Sequence, residues 1–208
     1  MIPLFVDCSR RRIVIFGGGV VAVRKAAYFA ARSEVLVVSR SFAKGFDVMP
    51  VERQELDVTG LPDKELAGII EGAFLVIGAL SDPAINNRIG RLCRERSIFF
   101  NNADGETGDV ILPSVVNGDH YTIAISTNGG SPAMSRYLRE YLEEELPSLD
   151  AMIGLQNRLR ERLKSVKPGQ AERKAILRKV LEDPEVWKEL GDNPDQAWER
   201  IVKRYLHD

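Results

Sequence analysis

The sequence contains few of the residues that build disulfide-stabilised or metal-binding proteins. Its 208 residues include two cysteines, Cys8 and Cys93, and two histidines, His120 and His207. The cysteines are far apart and in no metal-ligand spacing, so they are expected to be reduced thiols. The sequence therefore predicts no metal site, and its cysteine usage is typical of a cytoplasmic protein.

Long apolar runs and a charge excess are also lacking. No segment approaches the roughly 18 apolar residues that a membrane span needs, and the first residues, MIPLFVDCSRRR, lack the pattern of a secretory signal. Lys plus Arg number 29 and Asp plus Glu number 30. The composition thus predicts a cytoplasmic protein with no broad electrostatic attraction for nucleic acid or membranes. Its 44% apolar content suffices for a buried core.

The first hundred residues alternate between strand and helix patterns. Apolar or alternating runs predict five strands, at 12–17, 34–39, 51–56, 73–78 and 98–100. Helical patterns lie between them, the first over 20–32. This alternation predicts an α/β fold with a Rossmann-type, doubly wound parallel sheet over residues 1–108.

The pattern changes after the fifth strand. Two strand-like segments, 109–116 and 120–127, flank the hairpin dipeptide Asn117-Gly118. A helix is predicted from Pro132 to Glu145, and charged segments with helical spacing follow from Leu149. The chain is therefore predicted to continue with a small α+β region over 109–147, and then a helical domain over 148–208 that Pro168 interrupts.

The turn after the first strand is rich in glycine. Gly17, Gly19 and Ala22 fit the pattern G-x-G-x-x-A. The first glycine permits a tight turn, the second lets the backbone approach a pyrophosphate, and the alanine lets helix and strand pack closely. Val20 and Val21 begin the next helix, whose free N–H groups favour phosphate. Because the turn follows a strand and opens a helix, it predicts a dinucleotide site.

The second strand lacks the acidic end that usually binds the ribose of NAD. It ends instead in Ser39, Arg40, Ser41 and Phe42. Arg40 could bind the 2′-phosphate of NADP or be a solvated loop residue, so this loop alone leaves NAD and NADP both open. The loop after the fourth strand, Gly78-Ala79-Leu80, is expected to line the cofactor at the same sheet edge. Asp82 is expected to cap the following helix.

Four stretches together give a resemblance to a known family. They are PLFVD near the N-terminus, VIFGGGVVAVRKA at the glycine turn, NNAD with VILPSVV after the fifth strand, and ISTNGGSP before the helix at Pro132. In this order and spacing, over about residues 1–145, they resemble the dehydrogenase domain of siroheme synthases, the precorrin-2 dehydrogenases. Some members of that family are also sirohydrochlorin ferrochelatases.

The resemblance implies a reaction, a cofactor and partners. Family members oxidise precorrin-2 to sirohydrochlorin with NAD, which favours NAD over NADP here. Some then insert ferrous iron as a second substrate. The family forms homodimers, with the strands at about 109–127 and the C-terminal helices between the subunits. The aspartate of the N-x-x-D stretch is tied to catalysis as a general acid/base, and here it is Asp104. From the residues alone, an ordinary turn aspartate before Gly105 is the favoured interpretation of Asp104.

The glycine turn before Pro132 is the predicted substrate contact. A turn that opens a helix favours anions, and tetrapyrroles of this type carry many carboxylates. With the family resemblance, this assigns substrate contact to Ser126, Thr127, Asn128, Gly129 and Ser131.

Two other functions share the glycine turn. One is a dinucleotide-sensing regulatory module, such as the ligand-gating part of a potassium transporter. These modules usually end the second strand with an acid and lack the S-x-x-G-G-S-P helix start. The other is an NADP-dependent reductase of another small molecule, which only Arg40 suggests.

Overall fold

The computed structural model describes residues 1–167 and 169–206. The predicted interruption at Pro168 and the residue His207 lie outside the described residues. The chain divides into two compact units, Met1–Leu112 and Pro113–Asp208. The finer boundaries 1–108, 109–147 and 148–208 stay predictions.

A five-stranded parallel sheet forms the centre of the first unit. Its strands are β1 (Arg12–Phe16), β2 (Glu34–Ser39), β3 (Glu52–Glu55), β4 (Leu75–Gly78) and β5 (Phe99–Asn102). Their order in the sheet is β3-β2-β1-β4-β5, and every neighbouring pair is parallel. The strand order reverses direction beside β1, which is the arrangement of the Rossmann fold. The predicted α/β class is confirmed.

Helices cover both faces of this sheet. The first unit contains helices α1 (Val20–Ala26), α2 (Asp63–Ile70) and α3 (Pro83–Glu95), and a short 3₁₀ helix (Lys44–Phe46). Ala22 and Ala26 of α1 pack on one face against Ile13, Ile15 and Val37. The buried residues of α2 and α3 pack on the other face against Val14 and Phe16. Alternate residues of β1 therefore enter two different cores, as in a doubly wound sheet.

Several predicted elements are shorter in the structure, and two of them differ by more than two residues at one end. Helix α1 ends at Ala26 rather than Arg32, because the hydrogen bonds after it mix three-residue spacing, as in Phe29 N–H to Ala26, with four-residue spacing, as in Ala30 N–H to Ala26. The strand predicted over 109–116 forms only from Ser114 onward. Val110 joins β5 by a single backbone bond to Phe100, so the segment before Ser114 packs against the sheet without extending it.

The second unit begins with a two-stranded hairpin. Strands β6 (Ser114–Asn117) and β7 (Thr122–Ile125) pair antiparallel, with Asn117 opposite Thr122. The predicted hairpin is therefore confirmed, but Asn117 ends the strand instead of forming a two-residue turn. Gly118 closes the longer connection by donating to the Tyr121 carbonyl.

Five helices complete the second unit. They are α4 (Pro132–Glu145), α5 (Leu149–Val166), α6 (Gln170–Leu181), α7 (Pro184–Asp192) and α8 (Pro194–Ile201), and a π-helical turn follows (Val202–Leu206). Buried residues of α5 to α8, among them Leu159, Val180 and Ile201, form one core. The predicted helical C-terminal region is confirmed over the described residues.

Asp183 links three parts of this helical core. Its side chain caps α7 by accepting from Glu185 N–H at 3.1 Å, and it accepts from Arg204 at 2.9 Å and from the Tyr205 hydroxyl at 2.8 Å. Burial raises the pKa of the Asp183 carboxyl, but the bonds from Tyr205 and the backbone and the charge of Arg204 outweigh it. The net pKa lies below its ordinary value.

Replacing Asp183 with alanine is expected to lower the free energy of unfolding by about 2 kcal/mol near neutral pH, because a cap and a charge-assisted bond are lost. A carboxyl with a lowered folded pKa stabilises above its unfolded pKa and loses this effect as the pH falls through the folded value. Urea unfolding should therefore show a difference between the two proteins that disappears in acid. The exposed Asp192→Ala is the control, and an equal loss there would contradict this role.

No helix in the described part of the chain is long and apolar enough to cross a membrane. Within the same residues, no three His, Cys, Asp or Glu side chains cluster closely enough to hold a metal ion.

Candidate functional site

A cavity of about 900 Å³ opens at the carboxyl ends of the strands of the first unit. It lies at the neighbouring strands β1 and β4. The chain continues from β1 to one side of the sheet and from β4 to the other, and α/β folds bind ligands at such a point. All the predicted cofactor residues except Gly78 line it: Gly17, Gly19, Val20, Val21, Ser39, Arg40, Ser41, Phe42, Ala79 and Leu80. Asp104 lies in the same lining.

The three glycines after β1 have three different environments. Gly17 has a φ of +119°, and a Cβ there would overlap the Ala79 carbonyl, so the turn requires glycine. Gly18 has no room either, because its Cβ would overlap the Ser41 carbonyl oxygen. At Gly19 nothing lies within 4 Å of the Cβ position. Packing within the protein therefore requires glycine at positions 17 and 18, whereas Gly19 leaves open space beside the backbone.

Gly18 is a site residue that the sequence pattern did not single out. The pattern requires glycine only before and after it, but its carbonyl accepts from Ala43 N–H at 2.8 Å and joins the turn to the loop after β2. The run of three consecutive glycines was the only available sign of this contact.

Helix α1 starts at the cavity without satisfying its own N–H groups. Gly19 is its N-cap and offers no side-chain bond, and the first turn contains no acidic residue. Val20 and Val21 are exposed there, while Ala22 is fully buried against the sheet. The close packing predicted for Ala22 is confirmed. The unpaired N–H groups and the positive end of the helix favour an anionic ligand.

The loop after β2 carries a charged pair. Arg40 lies 3.7 Å from Asp57, which follows β3, and both side chains are mostly exposed. Hydrogen bonds from Thr59 and the charge of Arg40 hold the pKa of Asp57 below its ordinary value. Asp57 and Thr59 line the cavity but were missed, because only the sheet brings the ends of β2 and β3 together.

At the end of β4, one residue packs in the core and the next two line the cavity. Gly78 is buried, and a Cβ there would press on Phe100 and Asn86 at 3.0 to 3.1 Å, so its place is in the core and not in the cavity wall. Ala79 and Leu80 line the cavity instead. Asp82 caps α3 by accepting from Ala84 N–H at 2.8 Å, as predicted.

Asp104 lies on an exposed loop after β5. Its backbone N–H donates to the Asn102 side chain at 3.3 Å, and its carbonyl accepts from Asn86 at 3.3 Å. Gly105 follows with a φ of +120° and turns the chain away. The main chain at Asp104 is therefore fixed on both sides, and Asp104 is one of the residues that line the cavity.

The predicted substrate turn belongs to the second unit and is held together internally. Thr127 receives a bond from Ser131 N–H at 3.0 Å and donates to the Ser131 carbonyl, and Ser131 caps α4 through Met134 N–H. Asn128 and Gly129 have φ of 53° and 82°, and nothing lies within 4 Å of a Cβ at Gly129. These bonds hold the turn internally, and at Gly129 its backbone faces open space.

The cavity residues fit a nicotinamide dinucleotide. The open position at Gly19 lets a diphosphate reach the backbone, and the start of α1 offers N–H donors and no opposing carboxylate. The cavity volume is within the range of about 300–1,000 Å³ that is typical of small-molecule sites.

Comparisons with known proteins agree with this geometry. The sequence model of a domain family described as "Putative NAD(P)-binding" matches residues 4–114. A protein named precorrin-2 dehydrogenase from Methanosarcina barkeri is 41% identical over 213 aligned residues, which cover 99% of this chain and 95% of that protein. The chain belongs to the precorrin-2 dehydrogenase family. The predicted resemblance is thereby confirmed.

Longer members of the precorrin-2 dehydrogenase family carry additional sequence. Siroheme synthase 2 from Cronobacter sakazakii is 30% identical over 99% of this chain, but the chain spans only 45% of its length. A solved structure named SirC, precorrin-2 dehydrogenase, superposes with a TM-score of 0.73 at 18% identity and covers 98% of this chain and 100% of SirC. At that identity the likeness supports the fold alone.

Proposed function

We propose that this member of the precorrin-2 dehydrogenase family oxidises precorrin-2 to sirohydrochlorin with NAD in siroheme biosynthesis. One observation carries the proposal: a single cavity is lined by both the dinucleotide turn, Gly17–Val21, and Asp104. The 41% identity to a protein named for this activity supports the choice of substrate.

The first task of the chain is to hold the cofactor. The N–H groups at the start of α1 are oriented to bind the diphosphate, and Gly19 leaves room for it. One side of the cavity includes the apolar residues Ala79, Leu80 and Ile85, which exclude water from that part of the site. When bound, NAD supplies an acceptor for a hydride.

The second task is to remove a proton. Converting precorrin-2 to sirohydrochlorin removes two hydrogens, one as a hydride to the cofactor and one as a proton. In this proposal the Asp104 carboxylate accepts that proton as a general base. Its loop position leaves the carboxylate accessible, while the fixed main chain around it limits its range of movement.

The preference for NAD is supported by the pair of Arg40 and Asp57. Asp57 lies 3.7 Å from Arg40 and carries a negative charge, so it opposes a second negative group placed on the same arginine. A 2′-phosphate would have to displace this carboxylate, whereas the ribose hydroxyl of NAD could donate to it.

The remaining predictions concern partners. Substrate carboxylates are proposed to bind at Ser126, Thr127, Asn128, Gly129 and Ser131, where the open backbone at Gly129 supports an anion contact. Assembly as a homodimer, insertion of ferrous iron as a second substrate and location in the cytoplasm stay predictions. Sedimentation and an iron-supplemented assay would test the first two.

The function is tested by incubating the protein with precorrin-2 without oxygen, in parallel with NAD, with NADP and with no cofactor. We expect sirohydrochlorin, identified by absorbance and mass, to form fastest with NAD. Binding of either dinucleotide without any product would contradict the enzyme and favour a sensing module. Faster product formation with NADP would contradict the proposed cofactor.

A further inference from the structure

The side chain of Asn86 is fully buried in the first turn of α3, where no function has yet been given to it. A buried amide costs free energy unless its hydrogen bonds are made. Such a residue is retained where its bonds fix something that an apolar residue could not. The partners of Asn86 therefore indicate what it does.

Asn86 joins two segments of the cavity wall. Its Oδ1 accepts from the Leu80 N–H at 3.1 Å, and its Nδ2 donates to the Leu80 carbonyl at 2.9 Å. The same Nδ2 also donates to the Asp104 carbonyl at 3.3 Å. Leu80 follows β4 and Asp104 follows β5, so one amide connects the loops at the ends of two strands.

The next residue holds the other side of the same loop. Asn87 Oδ1 accepts from the Glu106 N–H at 2.9 Å and from the Asn102 side chain at 3.0 Å. Asp104 thus lies between Asn102 and Glu106, which are both bonded to Asn87 of α3. The exposed loop around it is short of buried apolar contacts, so it is held by hydrogen bonds: those to α3 and the one from Ala103 N–H to the Gly78 carbonyl at 2.8 Å.

We infer that Asn86 is a positioning residue, which sets the location of Asp104 relative to the cofactor wall at Leu80. This inference rests on the proposed function. The two bonds to Leu80 alone would complete the β4 loop, but the third bond reaches the Asp104 carbonyl, so the amide that holds the cofactor wall also holds the main chain that carries the proposed base. A displacement of about 1 Å at a reacting group can reduce a rate by about 100-fold.

The test uses two substitutions of Asn86 and one control. Asn86→Asp keeps the size of the side chain but replaces the donor with an acceptor that faces the two carbonyls. Asn86→Ala removes all three bonds. Leu92→Ala removes a buried apolar side chain from the same helix, packed in the core away from the cavity lining, and so measures the effect of lost stability alone. All proteins are assayed at a temperature well below the lowest melting temperature.

We expect both Asn86 variants to lower kcat by about 10- to 100-fold at saturating precorrin-2 and NAD. The dissociation constant for NADH, measured by fluorescence, should stay within about threefold, since the glycine turn is untouched. Leu92→Ala should lower the melting temperature but keep the kcat of the unaltered protein.

Three results would overturn the inference. The first is an unchanged kcat in both Asn86 variants, and the second is an equal loss in Leu92→Ala, which would make the role merely structural. The third is weaker NADH binding with an intact kcat at saturation, which would assign Asn86 to the cofactor loop. Failure of the unaltered protein to form sirohydrochlorin would overturn the proposed function itself. The three results above would overturn only the role of Asn86, so the two failures are distinguishable.

Discussion

Replacing Asp104 with alanine is expected to reduce dehydrogenation of precorrin-2 by at least about 100-fold, the effect of losing a general base. Binding of NAD should be retained, because the proposed diphosphate site is the glycine turn after β1, on a different part of the cavity wall. Rates of NADH formation and a separate titration with NADH would measure the two properties in one preparation.

The substitution Asp104→Ala should disturb the fold little. The hydrogen bonds at Asp104 use its main chain, which donates to Asn102 and accepts from Asn86, and alanine keeps both. The side chain is exposed, so its loss should change the melting temperature little. Glu106→Ala, two residues further along the exposed loop, is the matched control and should remain active. Normal turnover by Asp104→Ala would remove Asp104 as the catalytic group.

Replacing Gly19 with aspartate is expected to weaken NAD binding by at least about 100-fold while the protein still folds. The open space at its Cβ position accommodates the side chain, but the carboxylate then lies where the diphosphate approaches the backbone. Repulsion between such charges is worth several kcal/mol at about 4 Å. Fluorescence titration with NADH and a thermal melt would record both outcomes.

Two further glycine variants separate the causes. Gly68→Asp adds the same charge at an open position on α2, outside the cavity, and should leave NADH binding unchanged. Gly18→Ala introduces a Cβ that overlaps the Ser41 carbonyl, and should lower stability as well as binding. Unchanged affinity in Gly19→Asp would refute the location of the cofactor turn.

Local patterns in the sequence were sufficient to predict the sheet and much of the cavity. A glycine turn between a strand and a helix has its own steric logic, so Gly17 and Gly19 were found without the fold. Gly18 and Asp57 were not, since their importance depends on Ser41 and Arg40, neighbours that only the folded sheet provides. Asn86 was missed for the same reason, because its partners are 6 and 18 residues away.

The wrongly predicted start of the strand at 109 has a similar origin. Val110, Ile111 and Leu112 form a short apolar run of the kind found in buried strands, and Val110 and Leu112 do pack against the sheet core. Backbone pairing, however, requires an available partner along the whole segment, and only the bond between Val110 and Phe100 forms. An apolar run indicates that a segment is buried, but the segment becomes a strand only where a neighbouring strand offers backbone partners along it.

NAD-dependent oxidation of precorrin-2 is tested most directly by the stoichiometry of one anaerobic reaction, in which NADH and sirohydrochlorin are recorded together as the unaltered protein consumes precorrin-2. We expect the two products to appear at equal rates and in equal amounts, and both to appear far more slowly with Gly19→Asp at the same subsaturating NAD concentration. Sirohydrochlorin without matching NADH, or NADH without sirohydrochlorin, would contradict NAD-dependent oxidation of precorrin-2.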